Sequence, residues 1–222
     1  INDLIFVHSR YPTLDNDAVF FGPDTYRFTQ AIEEHLRTCV RPPSKAVDLG
    51  CGSGAGAILI AQASPTTEVL AVDINPKALR FTAVNAAVAQ LNNISVCHSD
   101  LLIATTGEFD LIVANPPYMQ DTALRAYRHG GDNLGTQLSL KIVEQALPRL
   151  SPGGTLLLYT GAPSINGRDI FLEQARSFVE RAGFSWSYRE MDPDVFGEEL
   201  ETTNYANAER IAAVVLTVIR DD

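Results

Sequence analysis

The stretch Ala46-Val47-Asp48-Leu49, which runs directly into Gly50-Cys51-Gly52-Ser53-Gly54-Ala55-Gly56, decides the fold class that we predict. Its first four residues are typical of a short buried strand, and its glycines permit the positive φ of a tight turn. An Ala- and Ile-rich run to about Ala63 then predicts a helix. A strand, a glycine turn and a helix in this order begin a βαβ unit, so we expect a parallel sheet.

Strand and helix patterns alternate along the rest of the chain. Predicted strands cover residues 46–49, 69–72, 94–97, 109–114, 155–159, 184–188 and 211–219. The helix after Asn75-Pro76 has a good N-cap and a proline suited to its first position. Its expected inward-facing residues are Phe81, Val84, Val88 and Leu91. The alternation predicts an α/β fold with a seven-stranded, doubly wound, mostly parallel sheet. Because no crossover helix separates the last two strands, we expect them to form an antiparallel C-terminal edge hairpin.

The composition is typical of one soluble domain. The 222 residues carry a net charge of −10, with 45% hydrophobic residues. We assign residues 1–24 to a lead-in segment, which would be the end of an N-terminal region if the chain is a fragment, and residues 25–222 to a single catalytic domain. The cysteines, Cys39, Cys51 and Cys97, are odd in number and lack a CxxC pair, which indicates reduced thiols and a cytoplasmic location. No apolar run approaches the roughly 18–20 residues that span a membrane.

Acidic residues follow three successive predicted strands. Asp48 lies at the end of the first strand, Asp73 closes the second, and Asp100 follows the third. Ligands of a doubly wound sheet bind beyond the carboxyl ends of the strands, beside the switch point. The glycine turn also fits the loose dinucleotide fingerprint G-x-G-x-x-[GA], which leaves an NAD-dependent oxidoreductase as an alternative. Asp48 would repel a pyrophosphate but could orient an ammonium group.

The segment Asn115-Pro116-Pro117-Tyr118 directly follows the fourth predicted strand. Two prolines fix φ twice and remove two backbone donors, so the neighbouring carbonyls are rigid and free to accept other hydrogen bonds. Such a corner can hold a planar NH2 group, with oxygens accepting its two protons and the ring covering its face. The alternative is a proline turn with no role beyond ending the strand.

These motifs, in this order, resemble those of class I S-adenosylmethionine-dependent methyltransferases with a Rossmann-like fold. The proline corner resembles the branch that methylates planar exocyclic or amide nitrogens. Within it, Gly22-Pro23-Asp24-Thr25 and Gly130-Gly131-Asp132-Asn133-Leu134-Gly135 are similar to segments of the release-factor glutamine methyltransferases. The resemblance covers roughly residues 22–160. The chain differs from that family in having only about 45 residues before the first strand and a long acidic insert at 192–209.

The resemblance implies a role for each site residue. Asn115, with the Pro116 carbonyl, would accept the protons of the target NH2, and Tyr118 would pack on the substrate plane beside Pro117. Asp73 would hold the ribose and Asp100 the adenine edge of S-adenosylmethionine. The remaining residues expected to bind the cofactor are Thr25, Asp48, Gly50, Cys51, Gly52, Gly54, Ile74 and Leu101, with Asn115 also near it. No metal is required, because a sulfonium is already electrophilic.

The favoured partner is a protein substrate such as a release factor, but three alternatives remain. A nucleic-acid amino methyltransferase acting on adenine or guanine would use the same corner. Its phosphate contacts would have to come from Arg125, Arg128 and His129, because the chain as a whole is acidic. An NAD-dependent oxidoreductase would have no use for the proline corner. The third alternative is a cofactor-binding protein without catalysis. We expect no membrane association.

Overall fold

One mixed β-sheet with helices on both faces organises the chain. The computed structural model describes residues 1–13, 15–125 and 127–221. The helices are α1 (Pro23–Thr38), α2 (Ala55–Ala63), α3 (Pro76–Val88), α4 (Gln137–Ala146) and α5 (Ile170–Ala182). The strands are β1 (Lys45–Leu49), β2 (Glu68–Asp73), β3 (Ile94–His98), β4 (Phe109–Ala114), β5 (Leu150–Ile165), β6 (Arg168–Asp169), β7 (Ser185–Asp192) and β8 (Arg210–Ile219). The predicted α/β class is confirmed.

The strands lie in the order β3-β2-β1-β4-β5-β8-β7, with β6 paired to β5. Strands β1 to β5 pair in parallel, and β8 runs antiparallel to both β5 and β7. The mostly parallel sheet and its antiparallel C-terminal hairpin are therefore confirmed. In the part of the chain that the structure describes, the sheet has eight strands rather than the seven predicted. The additional strand β6 has only two residues, too few to show a period in the sequence.

The central strands are buried on both faces. In β4, Ile112 and Ala114 pack in the core that includes residues of α4 and α5, whereas Leu111 and Val113 pack in the core that includes α1 and α2. Successive side chains of a strand point to opposite faces, so a strand covered on both sides needs a continuous apolar run. This explains why the sequence predicts β4 with its observed bounds.

Helix α3 begins as predicted, with the Asn75 side chain accepting from Lys77 N at 2.9 Å. Its inward face was predicted wrongly in part: Val84 and Val88 are 47% and 57% exposed, whereas Leu91, just beyond the helix, packs against the core that includes α1 and α2. The buried residues of this helix are Ala78, Thr82, Asn85 and Ala86. Asn85 is turned inward because its amide satisfies backbone groups, donating to Ser53 O at 2.8 Å and to Val7 O at 3.0 Å. Apolarity alone therefore placed Val84 and Val88 on the wrong side of the helix.

Two further boundaries differ from the predictions. Helix α1 begins at Pro23, so the division that we placed after residue 24 falls inside this helix. The segment Ser151-Pro152-Gly153-Gly154, which precedes the predicted strand 155–159, belongs to β5, where the pairing with β4 shifts register between Phe109 and Leu111. Within the described residues, no helix is both long and apolar enough to cross a membrane.

Candidate active site

The carboxyl ends of β1, β2 and β4 lie side by side at the switch point of the sheet. In the registers of β1, Leu49 is opposite both Val72 of β2 and Ala114 of β4. The residues that follow these strands, the glycine turn and Asn115, therefore start side by side. A cleft opens there, beyond β1 and between the diverging crossovers.

The glycine turn presents its backbone to this cleft. Gly50 and Gly52 have φ of 67° and 56°, which favours glycine over other residues. A methyl group built on Gly50 would meet no atom within 4 Å, so the space beside this residue is open to a ligand. Gly54, with φ of 81°, does not line the cleft; a methyl group there would collide with Thr82 of α3. Gly54 thus serves the packing of the turn against α3.

Asp48 lies beneath the turn and is 1% exposed. One of its carboxylate oxygens, Oδ2, accepts from Ala57 N in the first turn of α2 at 2.9 Å. Burial raises the pKa of Asp48 to about 7, and the nearby Asp73 carboxylate also acts to raise it. A cationic ligand group placed here would relieve that penalty, because it would stabilise the charged carboxylate.

Asp73 at the end of β2 faces the same cleft. Its Oδ2 accepts from Gly52 N at 3.0 Å and its Oδ1 from Asn75 N at 2.8 Å. Burial raises the pKa of this carboxyl, and these backbone hydrogen bonds oppose the increase. A carboxylate has about four acceptor sites, so roughly two remain for vicinal hydroxyls.

Asp100 follows β3 at the rim of the cleft and is exposed. Its carboxylate forms an ion pair with Lys141 of α4 at 3.0 Å. Leu101, next to it, is 8% exposed and has φ of 49°, an uncommon conformation for a leucine. The Asp100 carboxylate must therefore share its acceptor sites between Lys141 and any ligand.

The proline corner forms the opposite wall of the cleft. Tyr118 is only 5% exposed, and its hydroxyl donates to Asp24 Oδ2 at 2.8 Å. Gly161 of β5 leaves room for the ring, since a methyl group there would overlap it. The sequence-based expectation placed this ring on the substrate plane. In the structure, much of the ring surface is used to hold the corner against α1 and β5.

Asp24 connects the corner to two other elements. Besides the Tyr118 hydroxyl, it accepts a hydrogen bond from the Tyr159 hydroxyl of β5 at 2.8 Å and pairs with Arg27 at 3.5 Å. Its side chain is 11% exposed, so these partners carry most of its charge compensation. The role of Asp24 was missed from sequence, although the segment Gly22-Pro23-Asp24-Thr25 had marked its position.

The acidic insert 192–209 reaches the end of the cleft beside Tyr118, which the sequence did not indicate. Phe196 of the insert lines the cleft, together with Arg128 from the segment after the corner. The Arg128 guanidinium lies 5.4 Å from the Phe196 ring centroid and forms an ion pair with Glu199. The insert is therefore part of the wall.

One cleft brings together the predicted site residues, apart from Gly54. Those lining it are Thr25, Asp48, Gly50, Cys51, Gly52, Asp73, Ile74, Asp100, Leu101, Asn115, Pro116, Pro117 and Tyr118. Cys51 is buried, with its sulfur 3.4 Å from the Thr82 hydroxyl, and burial raises the pKa of its thiol well above the usual value. His129 of the candidate basic patch does not line the cleft. Sites separated by about 90 residues in sequence thus share one cavity.

The strand order and the position of the cleft define a Rossmann-like α/β protein. Residues 15–175 match the family model described as the methyltransferase small domain, and the chain belongs to that family. It is 35% identical over 156 residues to the release factor glutamine methyltransferase of Deinococcus radiodurans, covering 66% of this chain and 55% of that protein. It is also 36% identical over 133 residues to the ribosomal protein uL3 glutamine methyltransferase of Xanthomonas campestris, covering 54% of this chain and 43% of that one. The chain spans about half the length of the curated relatives that it matches.

Solved structures support the fold. The ribosomal protein L11 methylase of Lactobacillus delbrueckii aligns with a TM-score of 0.58 at 21% identity, covering 89% of this chain and 80% of that one. The tRNA m1G37 methyltransferase of M. jannaschii aligns with a TM-score of 0.59 at 17% identity, covering 92% of this chain and 52% of that one. At these identities the likeness concerns the fold alone. One of these proteins is named for a protein and the other for an RNA, so the fold does not discriminate between substrate classes.

Proposed function

We propose that this protein is an S-adenosylmethionine-dependent N-methyltransferase that modifies a glutamine side chain of a protein such as a release factor. The observation that carries the proposal is the position of the corner Asn115-Pro116, which faces the glycine turn and Asp73 across one cleft. The glutamine methyltransferases among the relatives support the acceptor, and the small-domain family supports methyl transfer.

The cofactor half of the cleft suits S-adenosylmethionine. The open space beside Gly50 admits the methionine part, and Asp48 would face its ammonium group. The unused acceptor sites of Asp73 would receive the ribose hydroxyls, while Asp100 and Leu101 would border the adenine. S-adenosylmethionine, when bound, supplies an electrophilic methyl group on a sulfonium. The protein therefore needs only to bind, orient and exclude water.

The acceptor half addresses the difficulty of the nucleophile, an amide nitrogen whose lone pair is delocalised into its carbonyl. The Asn115 side-chain oxygen and the Pro116 carbonyl would each accept one N–H of the target NH2. Two acceptors at fixed positions favour a pyramidal nitrogen whose lone pair points at the methyl group. This is transition-state complementarity combined with in-line positioning.

The charge distribution favours a protein over a nucleic acid. The guanidinium of Arg125 binds Asp121 at 2.6 Å, and this hydrogen-bonded pair lowers the pKa of Asp121 to about 2. Arg128 pairs with Glu199 and lies 3.9 Å from Asp121. Nucleic-acid phosphates are bound mainly by Lys and Arg side chains, which displace the counterions of the nucleic acid. Both of these arginines already form ion pairs with carboxylates of the protein. The free thiols of Cys39, Cys51 and Cys97 fit a reducing compartment, so we place the protein in the cytoplasm.

The proposal is tested with labelled S-adenosylmethionine and cell extract, followed by protease or nuclease. Release of the label by protease supports a protein substrate, whereas release by nuclease would replace it with a nucleic acid. The Asn115→Ala variant should lose turnover but keep its affinity for S-adenosylhomocysteine in calorimetry. Equal loss of both would contradict the role of Asn115. Asn92→Ala, at an exposed position after α3, is the matched control and should retain both properties.

A further inference from the structure

We infer that the insert 192–209 is a substrate-recognition element and that Phe196 is its specificity-determining residue. The inference rests on the proposed function, because it concerns the acceptor end of the same cleft. Phe196 is partly exposed and lines the cleft, although it lies about 80 residues beyond the proline corner in sequence.

Hydrogen bonds fasten the insert to the segment after the corner. The Tyr205 hydroxyl accepts from Gln120 N at 2.8 Å and donates to Leu134 O at 3.1 Å. The Asn204 amide donates to Gln120 O at 2.9 Å. Tyr205 is only 1% exposed, so the insert is anchored through a buried ring rather than through a surface contact. A movement of the insert would therefore disturb the residues that follow the corner.

Phe196 is held between two partners at the end of the cleft. Its ring packs edge-to-face on Tyr118, with centroids 5.9 Å apart and planes at 69°, and the Arg128 guanidinium lies 5.4 Å from its centroid. Its φ is 55°. A phenylalanine with positive φ is uncommon and persists only where the surrounding contacts hold it. The contacts with Tyr118 and Arg128 thus hold the Phe196 ring in place although its positive φ is energetically unfavourable.

The ring offers the acceptor a flat apolar surface. Tyr118 is almost fully buried and its hydroxyl is bonded to Asp24, so it has little surface left for a ligand. Phe196 remains partly exposed at the same end. An aromatic wall suits a planar amide carried on two methylene groups, which is a glutamine residue of a polypeptide. The positive charge of Arg128 is offset by Glu199, so the wall provides no unpaired guanidinium for a phosphate.

The test uses the blocked peptide acetyl-Ala-Gln-Ala-amide as the methyl acceptor. Adenosine represents the alternative class of acceptor, a nucleic-acid base. Phe196→Ala should raise the KM for the peptide roughly tenfold, the effect of losing an apolar contact in a binding site. The kcat and the affinity for S-adenosylhomocysteine should change by less than about twofold, since uniform binding affects KM alone. The affinity of the peptide for the S-adenosylhomocysteine complex, measured by calorimetry, should weaken by the same factor. This measurement does not depend on turnover.

Two variants separate recognition from disruption of the insert. Tyr205→Phe removes the hydroxyl that fastens the insert and should raise the peptide KM in the same direction. Asn92→Ala, at an exposed position outside both the insert and the cleft, should leave KM unchanged. Thermal melts establish that each variant is folded.

The outcomes distinguish the two proposals. A wild-type protein that neither binds nor methylates the peptide, or that methylates adenosine instead, refutes the proposed protein substrate and this inference with it. A wild-type protein that methylates the peptide, with a folded Phe196→Ala variant of unchanged KM and peptide affinity, refutes the inference alone.

Discussion

The hydroxyl of Tyr118 provides the sharpest test of how the corner is positioned. Tyr118→Phe keeps the ring but removes the 2.8 Å hydrogen bond to Asp24, leaving that buried carboxylate with Tyr159 and Arg27. A hydrogen bond to a charged group contributes about 1.5–3 kcal/mol. In a domain of this size each kcal/mol shifts Tm by roughly 2–4 °C, so we expect a decrease of roughly 3–12 °C.

Tyr159→Phe is the matched control. It removes the other hydroxyl bonded to Asp24, also at 2.8 Å, but Tyr159 does not line the cleft. Both variants should therefore lose similar stability, measured as the free energy of unfolding in urea. Only Tyr118→Phe should also raise the KM for the acceptor, because only this change releases the proline corner.

A double-mutant cycle with Asp24→Asn distinguishes loss of the Tyr118–Asp24 hydrogen bond from a general loss of stability. If the Tyr118 hydroxyl acts through Asp24, the two changes together should cost less than their sum, with a coupling energy of about 0.5–3 kcal/mol. Additive costs would refute the direct coupling. An unchanged Tm in Tyr118→Phe, or equal losses of methyl transfer in both phenylalanine variants, would refute the positioning role.

Two further predictions concern Asp48, beneath the glycine turn, and Gly161, which packs against the Tyr118 ring. The folded-state pKa of Asp48, about 7, lies above the value of about 3.9 in an unfolded chain. Its contribution to stability is therefore fully present below about pH 4 and is lost as pH rises to about 7, by about 4 kcal/mol in all. The free energy of unfolding of Asp48→Asn should lack this decline between pH 5 and 7, and a slope equal to wild type would contradict the assignment. Gly161→Ala should cost about 1–3 kcal/mol by overpacking against Tyr118 and raise the acceptor KM. Gly197→Ala, where a methyl group meets nothing within 4 Å, should leave the Tm unchanged, and equal Tm values for both variants would rule out the steric explanation.

Short-range sequence patterns were sufficient to predict the strands, the turn and the helix start that position the site. Continuous apolar runs set the parallel strands, glycines set the turn after β1, and Asn75-Pro76 set the start of α3. Because parallel strands end at one edge of the sheet, the order of the strands along the chain was enough to place Asp73 and Asn115 near the glycine turn. The prediction that Val84 and Val88 face inward was wrong, because Asn85 of α3 is buried instead and satisfies backbone groups of distant segments.

The sequence by itself determined the α/β fold, the glycine turn, the strand-end acids and the proline corner, because each depends on neighbouring residues or on a short period. Only the tertiary structure revealed that Tyr118 bonds to Asp24, 94 positions earlier, and that Glu199 neutralises Arg128 from 71 positions away. It also brought Phe196 of the acidic insert into the cleft beside Tyr118. These pairings join side chains across different elements, and no local pattern in the chain encodes which partner each will meet.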